Sequence, residues 1–159
     1  MKKTPNDQTA QQRFFMDFWS PPMPLITVTG TAGDVALPSV TIADFPNGAT
    51  IVRAIAMFKF RMVENIYAGA NKVDGLQYIE VRDDAPGTWR DAITMVDDIL
   101  QIADSTREGG DVLMGDVDIA LEIVDLDNTY EFQWDEAIVD EDSLKFYDVQ
   151  TGLRIYYIV

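Results

Sequence analysis

From residue 25 onward, apolar and polar side chains alternate in short runs broken by turn residues, the pattern of strands with one wet face. Leu25–Thr29 and Val35–Ile42 are β-branched runs. Pro38 confines the second to a sheet edge or a bulge, because it has no N–H to give a ladder. Asp44–Gly48 reads as a turn. Thr50–Glu64 is the longest strand expected, with Val52, Ala54, Ala56, Phe58, Phe60 and Met62 on one face and Arg53, Lys59 and Arg61, mixed with Ile55, Met57 and Val63, on the other. Leu76–Arg82, Val117–Ile123 and Tyr130–Trp134 follow with the same period of two. Leu144–Val149 and Leu153–Val159 flank Gln-Thr-Gly, which predicts a terminal hairpin.

Two segments depart from this period. Over Thr88–Asp104 the polar positions are spaced by one, three and four, predicting an amphipathic helix at 88–104 with Trp89, Ile93, Val96 and Leu100 buried. Thr88 is its expected N-cap. Near the N-terminus, Phe14, Phe15 and Phe18 would share one face of a short helix ending at Trp19, before Ser-Pro-Pro-Met-Pro stops it. So short a helix is unstable unless docked. The expected architecture is mainly β: an antiparallel, jelly-roll-like β-sandwich over residues 25–159, one helix at 88–104, and an N-terminal arm over residues 1–24.

Composition narrows the chemistry. The 159 residues fit one domain. They include no cysteine, which removes disulfides, thiolate metal sites and thiol nucleophiles. They include no histidine either, which removes the commonest general base and metal ligand. No cofactor motif stands out, since the glycines lack phosphate-loop spacing. The net charge of −15 is uneven: residues 1–64 carry six basic and five acidic side chains, residues 65–159 six basic and 22 acidic. Such a surface repels polyanions, which argues against nucleic-acid and anionic-membrane partners. No apolar core of a signal peptide follows Lys2 and Lys3, so synthesis in a cytoplasm without a signal peptide is expected.

The acidic side chains raise three candidate sites. Asp116, Asp118, Glu122 and Glu131 fall on the polar faces of two strands read as neighbours, where a glycosidase pair would stand, with Tyr130, Trp134 or Trp89 as sugar-stacking platforms. Strand alternation explains the same carboxylates without any activity. Asp125–Glu131 carries alternating oxygen ligands, but Tyr130 stands where a calcium loop needs glycine, so a turn is the simpler account; Asp140–Asp142 is a looser calcium candidate.

What remains is contact chemistry. Phe14, Phe15, Phe18 and Trp19 on the arm, with Arg53, Lys59 and Arg61 on the long strand, are the candidate partner-contact residues. A basic stripe and an acidic C-terminal part are complementary between copies. The sequence therefore predicts a non-enzymatic structural subunit of a larger assembly. It would be a virion or phage component such as a capsid, decoration or tail protein, homo-oligomeric and located in a virion or other extracellular assembly. The alternative is a carbohydrate-binding or lectin-like β-sandwich module, and after it a glycosidase.

Overall fold

The last strand of the chain is the spine of the larger of two sheets. The computed structural model describes residues 12–29, 34–65, 77–83, 87–95, 106–108, 112–117, 128–135 and 143–159. Within them the strands are β1 (Arg13–Trp19), β2 (Met23–Thr29), β3 (Val35–Thr41), β4 (Thr50–Lys59), β5 (Met62–Asn65), β6 (Gln77–Asp83), β7 (Arg90–Met95), β8 (Thr106–Glu108), β9 (Leu113–Val117), β10 (Thr129–Trp134) and β11 (Ser143–Ile158). β1 and β2 lie end to end along one edge of β11, and β4 and β5 along the other. β9 flanks β4, and β8 flanks β5. The second sheet has the order β3-β10-β6-β7. All these pairings are antiparallel, and the two sheets face each other as a β-sandwich.

Three local expectations are corrected. Gln150-Thr-Gly152 is not a hairpin turn: residues 143–158 form one strand, with Gln150 opposite Lys59, Thr151 opposite Phe58 and Gly152 opposite Met57. Gly152 serves a close approach instead, because the Trp19 ring lies where its side chain would be.

The expected helix at 88–104 is not formed in the described part of that segment, residues 88–95. Arg90–Met95 is strand β7, and no helix occurs among the described residues. A register shift opposite Ile79 and Glu80 inserts one residue into β7, so the apolar spacing there mimics a helical period. Ile93 is buried as expected, Trp89 sits on the outer surface beside Arg82, and Val96 and Leu100 lie outside the described residues.

The short helix expected to end at Trp19 is strand β1, paired with β11 from Arg13↔Ile158 to Trp19↔Gly152. Its aromatic residues alternate between the two faces of the sheet rather than sharing a helical stripe.

Other readings hold. Pro38 lies on an edge strand and at a register shift between β3 and β10. Ala54, Ala56 and Phe58 point inward from β4. β4 and β5 keep one register on β11 across Phe60 and Arg61, so the long strand persists with a local break. Asp148 causes that break: its φ of 51° reverses which side of β11 faces the core, from Phe146 to Val149. Arg61 follows the reversal, donating its backbone N–H to Tyr147 O and its Nε–H to Asp148 Oδ2 at 2.5 Å.

The core between the sheets joins Leu153, Ile155 and Phe146 of β11 to Tyr130, Phe132 and Trp134 of β10 and to Ile79 and Val81 of β6. Phe146 is its aromatic hub, with ring centroids 5.1 Å from Phe60, 5.6 Å from Trp134 and 6.2 Å from Phe58. Such pairs add about 0.5–1.5 kcal/mol each beyond burial. Thr151 ties the sheets together, its buried hydroxyl donating to Pro38 O at 2.5 Å.

Candidate functional site

The outer face of the large sheet collects most of the residues singled out for partner contact. Strand pairing places Phe15 opposite Tyr156, Asp17 opposite Arg154, and Trp19 opposite Gly152. On the other side of β11, Arg53 is opposite Tyr156 and Met57 opposite Gly152. The Phe15 and Tyr156 rings are 5.8 Å apart, with the Arg154 guanidinium 4.8 Å above Phe15. Arg154 donates to both carboxylate oxygens of Asp17 at 2.7 Å, and this bonding raises its pKa further. The Lys59 ammonium stands 4.0 Å from the Trp19 ring centroid, and Arg61 stands 6.0 Å from that of Tyr147. Phe15, Trp19, Arg53, Lys59 and Arg61 therefore share this face.

Phe14 and Phe18 do not. Phe14 stacks on Tyr157 at 5.6 Å, and Phe18 meets Phe45 at 6.3 Å, on the side of the sheet that carries the core. Alternation within one strand divides the aromatic run. The sequence reading missed Tyr156 and Arg154, although Arg154-Ile-Tyr156 already had the strand period that puts them side by side.

The cations of the stripe are largely satisfied within the chain. Arg53 Nε lies 2.7 Å from Asp116 Oδ1, and this hydrogen bond holds the Asp116 carboxyl below its ordinary range. Arg61 is paired with Asp148. Exposed pairs of this kind add little to stability, because water and salt screen them. Beside them Arg53, Ile55, Met114, Gly115 and Asp116 line a depression of about 190 Å³, and Met114 is 49% exposed.

The outer face of the small sheet is different. Arg82 pairs with Glu131 at 2.6 Å and stacks 4.3 Å from the Trp89 ring. Gln133 donates to Glu80 at 2.6 Å. Arg82, Trp89, Glu131 and Gln133 border a hollow of about 290 Å³ that Ala36 and Ser39 also line. Burial, with Asp135, Asp91 and Asp34 nearby, pushes the Glu80 carboxyl up, against the Gln133 hydrogen bond that lowers it.

The carboxylate constellation expected from sequence is not assembled. Asp116 belongs to β9 in the large sheet and Glu131 to β10 in the small one, so each serves an arginine on a different outer face. Asp118 and Glu122 lie outside the described residues, as do Asp125, Asp127 and the segment 140–142. Asn128, at the end of the calcium candidate, accepts from the Thr129 N–H and donates to Asp83, as a turn residue does. Tyr130 and Trp134 are fully buried and cannot stack on a ligand; Trp89 is the one of the three that reaches the surface.

No family model matches the chain, and no curated protein matches it. Among solved structures, it is similar to a mutant of CBM29-2, a family 29 carbohydrate-binding module studied for its mechanism of ligand recognition. The identity is 12% and the TM-score 0.35, over 86% of this chain and 79% of that one. A second likeness is to the Drosophila NLP core, described for pentamer formation and histone binding. There the identity is 12% and the TM-score 0.17, over 93% of this chain and 98% of that one. Overlaps this low carry no functional argument, and nothing in the comparisons supports a virion role.

Proposed function

We propose that this chain is a non-enzymatic building block that acts through protein–protein contacts on the outer face of its large sheet, with other copies of itself as partners. The observation that supports this reading is the gathering of Phe15, Trp19, Arg53, Lys59, Arg154 and Tyr156 on one face. Aromatic residues, methionine and arginine are the types enriched in protein interfaces. Exposing Phe15 and Met114 on a free monomer would be a liability. Light scattering coupled to size exclusion, run across concentration and salt, tests the reading. The wild type is expected to be multimeric, and Lys59→Glu should weaken association at low salt with a smaller effect at high salt. A chain that stays monomeric at every concentration, or a charge reversal without effect at low salt, would overturn it.

A second reading rests on the hollow beside Trp89. A half-buried indole next to Arg82, Glu131 and Gln133 offers an apolar platform with convergent donors and acceptors, the chemistry that holds a neutral sugar. Affinity electrophoresis against neutral polysaccharides should show retardation that Trp89→Ala abolishes. Unretarded wild-type protein would remove this reading.

A further inference from the structure

We propose that β1 is the strand through which two copies of the chain join their large sheets edge to edge about a two-fold axis. This rests on the assembly reading above and adds to its outer-face contact a second one, at the sheet edge that borders that face. Among the described residues β1 and β2 pair only with β11, so together they form an open sheet edge. Natural edges are blunted by proline, lysine or a bulge. The β2 end is guarded in this way by Pro21, Pro22 and Pro24, none of which has an N–H to offer. The β1 end has no proline and no lysine in its seven residues, and it exposes Phe14 at 39% and Phe15 at 57%.

The charges select the partner and the register. A two-fold axis perpendicular to the sheet keeps outer side chains on the outer side of both copies, so the axis must pass a residue rather than fall between two. Centred on Phe15, it sets Arg13 opposite the partner's Asp17, and Asp17 opposite the partner's Arg13. Phe14 then faces the partner's Met16, and the two Phe15 rings meet. Centres on Phe14 or Met16 would instead set Arg13 opposite the partner's Phe15 or the partner's Trp19. Opposite charges directly across a ladder favour the Phe15 register. Asp17 already holds Arg154 with both oxygens, and a carboxylate has lone pairs for a further donor.

The chain has no cysteine, which makes the test clean. Residues directly opposite across an antiparallel pair have Cα atoms about 4.5–5.5 Å apart, within the range a disulfide spans. Phe15→Cys should therefore give a covalent dimer under mild oxidation. Leu25→Cys, exposed on the proline-guarded half of the same edge, should not. Phe15→Lys should weaken the dimer by roughly tenfold or more while leaving the circular dichroism spectrum unchanged. Cross-linking of Phe15→Cys no faster than Leu25→Cys, or a multimer indifferent to Phe15→Lys, would overturn edge pairing and leave the assembly reading standing. A wild type that is monomeric throughout would remove both.

Discussion

Gly152→Ala tests whether the N-terminal strand belongs to the domain's own packing. Gly152 has no positive φ, so alanine meets no backbone penalty there. Its Cβ would stand 2.7 Å from Cε3 and 3.0 Å from Cδ2 of Trp19, and 3.0 Å from Cε of Met57. Carbon atoms settle about 3.5–4.0 Å apart, so the indole must withdraw by about 1 Å. Overpacking of this kind costs about 1–3 kcal/mol. The reduced freedom of the unfolded chain returns about 0.4–1 kcal/mol. The net expectation is destabilisation by about 1–2 kcal/mol, or a loss of roughly 3–6 °C in Tm.

A Trp19→Ala background isolates the cause. There the remaining neighbour is the flexible end of Met57, so alanine at position 152 should be neutral or mildly stabilising. Urea denaturation followed by far-ultraviolet circular dichroism gives the four stabilities, and the cycle should return a coupling of about 1–2 kcal/mol between the two sites. A Gly152→Ala chain as stable as wild type, or one equally destabilised in both backgrounds, would mean that Trp19 does not rest on β11.

Two further predictions concern the sandwich itself. Thr151→Val removes the buried hydroxyl that serves the Pro38 carbonyl, and should cost about 1–3 kcal/mol in urea unfolding; a cost below about 0.5 kcal/mol would deny that tie between the sheets. Glu80 has a pKa raised above its ordinary 4.5, so the folded state binds more protons there than the unfolded one, and stability falls as pH rises through that window. Glu80→Gln, which can still accept from Gln133, should raise Tm at pH 7 and lose its advantage below pH 4.5; a Tm lowered at pH 7 would reverse the sign of the argument.

The strands legible in the sequence are those whose charged side chains all fall on the outer face. In β4, Ala54, Ala56 and Phe58 face inward, while Arg53 and Lys59 face outward, so period two survives in the residue types although Ile55 and Met57 on the outer face are buried as well. β10 repeats this with Tyr130, Phe132 and Trp134 against Glu131 and Gln133. The pattern failed where tertiary contact reassigned a residue's meaning. Gly152 looked like a turn glycine because the Trp19 ring that needs its space comes from 133 positions earlier in the chain. β7 looked helical because one inserted residue shifts its apolar spacing toward three and four. β1 looked helical because large aromatic residues stand on both of its faces: Phe14 and Phe18 turn toward Tyr157 and Phe45, Phe15 and Trp19 toward Tyr156 and Gly152. With only Arg13 and Asp17 to mark the outer face, little alternation is left to read.

The candidate site shows the same limit in its electrostatics. From sequence, Arg53, Lys59 and Arg61 form a stripe of three cations able to meet an acidic neighbour. In the fold, Asp116 and Asp148 each occupy one of the two arginines, and only the first of these acids lay on a strand expected from sequence to carry surface carboxylates. Lys59 lies over the Trp19 ring rather than against a carboxylate in the described contacts. The long-range pull of this face is therefore closer to that of one lysine than of three cations, and steering between copies is correspondingly weaker. Holding two copies together then falls to the apolar and backbone groups at the β1 edge, where Phe14 and Phe15 are exposed. Each copy carries −15, so two copies repel at long range, and high salt should speed their approach more than it alters their separation, because charge governs encounter and buried contact governs release.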